Sequence, residues 1–122
     1  MSFELHSSRP IWLQLAEQLG RRIVTGVYPP GSRFPTVREL AAEAGVNPNT
    51  MQRALSQLES DGLVSTNRTA GRSVTEDVGV LDATRKRIAA ELTEKYFSDM
   101  GELGFPRAEA AELAAAERED KE

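Results

Sequence analysis

Two helix-start signals flank a single glycine, Gly45, and this arrangement limits the possible fold more than any other feature of the chain. Thr36 is a favourable N-cap residue, and Glu39, three positions later, completes a capping box whose side chain can reach back to the cap amide. Asn47 is a second N-cap, followed by Pro48 at the first helical position, where a missing N–H group costs nothing. Gly45 readily adopts the left-handed conformation that ends a helix. The pattern predicts two helices joined by a tight turn.

Each predicted helix carries an apolar face that can pack it into a small domain. In the first helix this face consists of Leu40, Ala41 and Ala44. In the second helix, predicted to end near Gly62, it consists of Met51, Ala54, Leu55 and Leu58. The opposite face of the second helix carries hydrogen-bonding side chains, namely Asn49, Thr50, Gln52, Arg53 and Ser56. Such side chains contact phosphates and base edges, so the pair fits either a DNA-reading helix-turn-helix or a helical hairpin with a solvated polar face.

A β-hairpin is predicted directly after the second helix. Two short β-prone runs, residues 63–67 and 72–75, surround a turn at residues 69–71. Arg68 and Arg72 bracket the tip of this predicted wing, and Gly71 between them lets the backbone approach a phosphate or a minor groove. For the two arginines alone, a solvated turn is an equally good interpretation. The position of the hairpin nevertheless favours the DNA-reading interpretation of the two helices.

Another helix is predicted upstream, between Pro10 and Gly26, with apolar residues repeating every four positions at Ile11, Leu15, Leu19 and Ile23. Trp12 lies beside this stripe and is interpreted as a core or dimer-packing residue. Residues 28–35 then form a proline- and glycine-rich connector that excludes a continued helix.

The segment from Ile23 to Ala41 resembles the signature I-x-x-G-x-x-x-P-G-x-x-L-P-S-x-R-E-L-A of the GntR family of bacterial transcription regulators. The resemblance continues through residues 45–54 and 58–64 and covers residues 9 to about 78 without a gap. Phe34 replaces the more common leucine of the signature, which indicates a packing exchange. The run from Asn47 to Gln52 is similar to the short-tailed YtrA-like branch of the family.

The resemblance implies that Arg38 contacts DNA and that Thr50 lies at the start of the recognition helix. Many members have arginine where this chain has Pro48 and Gln52, which implies that it reads a different DNA sequence. Residues 71–74 also depart from the usual G-T-F-V after the wing glycine. The predicted DNA-contacting set is Arg38, Thr36, Asn47, Asn49, Thr50, Gln52, Arg53, Arg68, Gly71 and Arg72.

Two further helices are predicted after Thr75, one from Asp82 to about Met100 and one from Arg107 to about Glu119. Two helices are too small to bury a core alone, and the YtrA-like resemblance implies a dimer made through them. A loosely attached helical tail is the alternative. The predicted dimerisation residues are Ile88, Leu92, Tyr96, Phe97, Leu103 and Phe105.

The predicted fold class is therefore mainly α with a small β-hairpin. A winged helix-turn-helix DNA-binding domain spans residues 1–78, and a helical dimerisation segment with a frayed acidic tail spans residues 79–122. The charge distribution agrees with this division. Residues 1–75 carry 8 basic and 6 acidic side chains, whereas residues 76–122 carry 7 and 13. The basic half is expected to bind nucleic acid, although the whole chain has a net charge of −4.

No catalytic residues, metal site or cofactor are expected. The chain has no cysteine, and its one histidine, His6, has no partner at ligand spacing. It has no apolar run long enough to span a membrane and no signal peptide, so a cytoplasmic protein without a membrane partner is expected. The room left after the hairpin is too small for a full ligand-binding domain, so a small-molecule effector is not expected.

Two functions from different classes fit the sequence. The first is a homodimeric, sequence-specific regulator that binds double-stranded DNA at an inverted-repeat operator, expected to act as a repressor. The second is a winged-helix adaptor whose polar helix docks a protein without specific DNA binding. Protein interfaces usually need a large apolar anchor, and the polar faces of residues 47–56 and Arg38 offer none. DNA reading is therefore favoured.

Overall fold

A computed structural model describes residues 2–120 of the chain, with side chains through residue 117. The elements in chain order are α1 (Ile11–Val24), α2 (Val37–Ala44), α3 (Pro48–Ser60), β1 (Val64–Asn67), β2 (Gly71–Val74), α4 (Val78–Glu102) and α5 (Arg107–Asp120). The expected fold class, mainly helical with one β-hairpin, is confirmed. The chain divides into two compact units, one ending at Arg85 and the other beginning at Lys86.

The turn between α2 and α3 forms as the capping residues predict. The Thr36 hydroxyl oxygen accepts a hydrogen bond from the Glu39 amide at 3.1 Å, and the Asn47 side-chain oxygen accepts one from the Asn49 amide at 2.7 Å. Gly45 ends α2 with φ of 70° and ψ of 36°, which is the left-handed region. One detail differs, because the Glu39 carboxylate accepts from the Thr36 hydroxyl and not from the Thr36 amide.

The core of the first unit lies where α1 packs against α3. Its fully buried side chains include Leu15, Leu19, Ile23, Met51, Leu55 and Leu58. Phe34 is 1% exposed and meets the Tyr28 ring edge to face, with ring centres 5.0 Å apart. The phenylalanine that departs from the family signature is thus a core residue.

The hairpin pairs β1 and β2 antiparallel, with Val64 opposite Val74 and Asn67 opposite Gly71. The connector before α2 adds a short third stretch to this sheet, which the sequence did not predict. Arg33 pairs with Ser73, and the Phe34 amide donates to the Arg72 carbonyl at 2.8 Å. The prolines hide this pairing in the sequence, because they exclude a helix without indicating a strand.

Helix α4 begins at Val78, four residues before the predicted start at Asp82. The Asp77 carboxylate accepts hydrogen bonds from the amides of Gly79 at 2.9 Å and Val80 at 3.2 Å, and this cap starts the helix early. The first turns of α4 belong to the first unit, since Leu81 is buried and Arg85 donates to the Val24 carbonyl at 2.8 Å.

In the second unit, α4 and α5 are held together by aromatic and ionic contacts. The Tyr96 hydroxyl donates to the carbonyl of the buried Ala110 at 2.7 Å. Arg107 stacks on the Phe97 ring at 4.0 Å and pairs with Glu94 at 2.7 Å. The predicted frayed acidic tail falls on side chains beyond residue 117, which lie outside the described residues.

Candidate nucleic-acid interface

Helix α3 presents a polar face opposite its buried one. Asn49, Gln52, Arg53 and Ser56 are exposed, and Thr50 is half-buried. The Gln52 side-chain nitrogen donates to the Ser56 hydroxyl at 3.3 Å, a contact within the exposed face itself. The structure therefore brings five sequence-predicted side chains onto one surface of one helix.

Arg38 lies in the first turn of α2. Its side chain is exposed and forms no ion pair with any residue that the structure describes. Thr36 and Asn47 lie at the starts of α2 and α3, where their side-chain oxygens act as N-caps. Their first role is thus structural. A guanidinium in the first turn of a helix, with no ion pair among the described residues, favours contact with an anion.

The tip of the hairpin carries a second exposed arginine, Arg68. The Asn67 side-chain oxygen accepts hydrogen bonds from the amide and hydroxyl of Thr69, both at 2.9 Å, and so shapes the turn. Gly71 has φ of 77°, and a Cβ added there would meet nothing within 4 Å. This glycine provides turn geometry and leaves open space around the backbone, and its predicted approach to DNA stays a prediction.

Arg72 is placed differently from Arg68. Its Nε donates to the Glu59 carboxylate at 2.7 Å, and the Thr66 hydroxyl donates to the same oxygen at 2.6 Å. These hydrogen bonds, first from Thr66 and then from Arg72, hold the pKa of Glu59 below its usual value. Arg72 thus joins the hairpin to α3, and its predicted phosphate contact stays a prediction.

Arg22 counts toward the basic half of the chain but is buried between α1 and α2. It donates to the Tyr28 hydroxyl at 2.7 Å and to the Glu43 carboxylate at 2.6 Å. Burial alone would lower the pKa of Arg22, but the hydrogen bonds to Glu43 and Tyr28 outweigh it and raise that pKa. This arginine positions α2 on α1 and contributes no free charge to the surface.

Arg33 is an exposed cation outside the predicted DNA-contacting set. Its backbone pairs with Ser73 of β2, so the structure places it in the sheet that carries the wing. It forms no ion pair within the described part of the chain. In the sequence, Arg33 lies between a glycine turn and Pro35. This position indicates an exposed connector, but it does not indicate that the connector pairs with the hairpin.

The predicted dimerisation residues lie in the second unit, with different exposures. Leu92 is 50% exposed and Leu103 is 73% exposed. Ile88, Tyr96, Phe97 and Phe105 are half-buried. Tyr96 and Phe97 already contact α5 of the same chain, so the two leucines are the apolar groups left most available.

The described residues contain no group of His, Cys, Asp and Glu side chains that could hold a metal ion. None of the helices in the part of the chain that the structure describes is both long and apolar enough to cross a membrane.

A helix-turn-helix with a polar second helix, followed by a β-hairpin, defines a winged helix-turn-helix protein. Residues 12–74, about half of the chain, match the profile of the family described as "Bacterial regulatory proteins, gntR family". The chain belongs to the GntR family and is a DNA-binding transcription regulator, not an enzyme.

Two relatives from Bacillus subtilis illustrate the similarity. The HTH-type transcriptional regulator YhcF is 38% identical over 112 residues, which cover 92% of this chain and 93% of YhcF. The HTH-type transcriptional repressor YtrA is 38% identical over 71 residues, which cover 58% of this chain and 55% of YtrA. The similarity to YtrA agrees with the resemblance of residues 47–52 to the YtrA-like branch.

Solved structures match the fold. A GntR family transcriptional regulator from Listeria monocytogenes has a TM-score of 0.80 and 35% identity, over 92% of this chain and 98% of that one. The DNA-binding domain of AraR, solved in complex with operator ORE1, has a TM-score of 0.53 and 28% identity. That match covers 62% of this chain and 94% of the AraR domain.

Proposed function

We propose that this regulator binds an inverted-repeat operator as a homodimer and represses transcription there. The observation that carries the proposal is the polar face of α3 together with Arg38, which is exposed and forms no ion pair among the described residues. Amide and guanidinium side chains match the donor and acceptor pattern of base edges in a major groove. Neither group offers the apolar anchor that a protein-docking surface would need.

The homodimer follows from the exposed leucines of the second unit. Leu92 and Leu103 are 50% and 73% exposed, and such side chains together favour burial against a partner. A second copy of the chain is the simplest partner, and two copies related by a two-fold axis present their α3 helices in inverted orientation. The operator is then an inverted repeat with half-sites about one helical turn apart.

Repression is the simplest consequence of this binding mode, because a dimer seated on promoter DNA excludes other proteins from it. The relative YtrA is named a transcriptional repressor, which supports the same sign of regulation.

The test is selection of bound duplexes from a random-sequence pool by the purified full-length chain. We expect an inverted-repeat motif to be enriched. Arg38→Ala is the comparison variant, and it should bind the selected motif more weakly than wild type by about 1–3 kcal/mol. A pool in which no sequence is enriched over the input would contradict the proposal and favour the protein-docking adaptor.

A further inference from the structure

Trp12 and Arg53 form a stacked pair between α1 and α3. The guanidinium carbon of Arg53 lies 4.3 Å from the centre of the Trp12 ring. Trp12 is the one tryptophan of the chain and is half-buried in the first turn of α1. The pair therefore links the polar face of α3 to a second helix, α1. Among the described residues, no other exposed side chain of this face forms a hydrogen bond, ion pair or ring contact with another helix.

The stack restrains Arg53 without neutralising it. A guanidinium over an aromatic face keeps the N–H groups that point away from the ring free to bind an anion. Arg53 is exposed and forms no ion pair with any residue that the structure describes. Its charge is thus held in one place before any ligand arrives, which reduces the entropy lost on binding.

The position of the pair distinguishes a phosphate contact from a base contact. Trp12 draws the Arg53 head group toward α1, to one flank of α3, whereas Asn49 and Gln52 have no partner on α1. Base edges form the floor of the major groove, and phosphates line its rims. A cation on the flank of the recognition helix faces a rim.

We propose that Trp12 is a positioning residue that holds Arg53 for contact with a backbone phosphate beside the groove that α3 enters. This inference rests on the proposed function, since it requires α3 to enter DNA. The contact itself is independent of sequence, so it can be measured on any duplex that the chain binds.

The test is a double-mutant cycle with Trp12→Leu and Arg53→Gln, measured by fluorescence anisotropy on a selected duplex and a scrambled one. Arg53→Gln should weaken binding to both duplexes by a similar factor and reduce the salt slope by about one per arginine removed. Trp12→Leu keeps apolar volume but removes the aromatic face, and should cost about two- to fivefold, the range for an exposed cation–π pair. In the Arg53→Gln background, Trp12→Leu should have no further effect.

Two controls separate positioning from folding. Trp12→Phe keeps a ring face and should bind close to the wild-type level. The matched cycle pairs Trp12→Leu with Arg68→Gln, an exposed wing arginine without an aromatic partner, and those losses should simply add. If Trp12→Leu fails to fold, Trp12 fluorescence in the otherwise intact chain gives a second test. It should change on DNA binding in wild type and much less in Arg53→Gln.

The outcomes are distinct. Additive losses for Trp12 and Arg53, or a loss in Arg53→Gln confined to the selected duplex, would overturn the positioning of a phosphate contact. If wild type binds both duplexes equally while the coupling persists, the inference stands and sequence-specific regulation fails. A wild-type chain that binds neither duplex contradicts both.

Discussion

At the scale of single residues, two arginines of the hairpin have different surroundings although they lie only four positions apart. Arg72 is 19% exposed and donates to Glu59 of α3, while Arg68 is exposed at the turn. The sequence predicted the same phosphate-contacting role for both arginines. The ion pair could not be predicted, because Glu59 and Arg72 are brought together by the way β2 folds back on α3.

Arg68→Ala and Arg72→Ala should therefore have different effects. Arg68→Ala removes an exposed charge that forms no ion pair within the described part of the chain, so it should leave the melting temperature unchanged and reduce the salt slope of DNA binding by about one. Arg72→Ala removes a contact between hairpin and helix and should cost roughly 1 kcal/mol of stability. Thermal melts and salt titrations of the two variants, measured in parallel, make the comparison. Equal melting temperatures for the two would contradict the structural role of Arg72.

Glu59 gives the hairpin a pH dependence. Its pKa is lowered by the hydrogen bonds from Thr66 and Arg72, so the folded chain binds this proton less readily than the unfolded chain does. The resulting stability is fully present above the ordinary pKa of a glutamate and is lost as pH falls through the lowered pKa. Wild type should thus lose more stability than Glu59→Gln between about pH 6 and pH 3. Parallel pH dependences of the two melting temperatures would show that the Glu59 contacts contribute nothing.

At the scale of elements, the helix-turn-helix was predictable because its signals are local. Thr36, Gly45 and Asn47 act within four residues of themselves, and each cap forms where the sequence placed it. The start of α4 was missed for a related reason. Asp77 is also a local cap, but the periodicity of apolar residues begins only later, and periodicity was the signal that set the predicted start.

Glycine substitutions test the hinge between α2 and α3. Gly45 has φ of 70° and open space around a Cβ, so Gly45→Ala should cost about 1 kcal/mol through backbone strain alone. Gly20 lies inside α1, where a Cβ would meet Leu63 at an ordinary 3.8 Å. Gly20→Ala should stabilise the chain by about 0.5–1 kcal/mol. Thermal melts followed by circular dichroism should show a lower melting temperature for Gly45→Ala and a higher one for Gly20→Ala. A lower melting temperature for Gly20→Ala would contradict the expected difference between the two glycines.

At the scale of the whole molecule, the sequence indicated a polar surface on α3 and a set of apolar residues in the second unit. It did not indicate which of these apolar residues pack inside the chain and which stay exposed. Tyr96 and Phe97 contact α5 within the chain, and Leu92 and Leu103 do not share these contacts. That division depends on the packing of two helices, which periodicity does not specify. The sequence therefore predicted that both surfaces exist, but only the structure shows which apolar residues remain exposed.

The exposed leucines should determine the oligomeric state. Leu92→Glu combined with Leu103→Glu should convert the proposed dimer into a monomer at micromolar concentration, because the charges would be buried in the proposed interface. Val27→Glu is the matched control, since Val27 is 42% exposed but lies in the first unit. Sedimentation velocity compares them with wild type. An unchanged sedimentation coefficient for the double variant would contradict dimerisation through these side chains.

If two copies of this chain bind two inverted half-sites, the relative orientation of the half-sites must determine the affinity, and a titration can measure this. Two duplexes of equal length and composition carry the same pair of selected half-sites, as an inverted repeat in one and as a direct repeat in the other. We expect tight binding to the inverted repeat with two chains per duplex, and binding to the direct repeat weakened to the level of a single half-site. Equal affinity for the two duplexes, or one chain per duplex on the inverted repeat, would contradict this expectation.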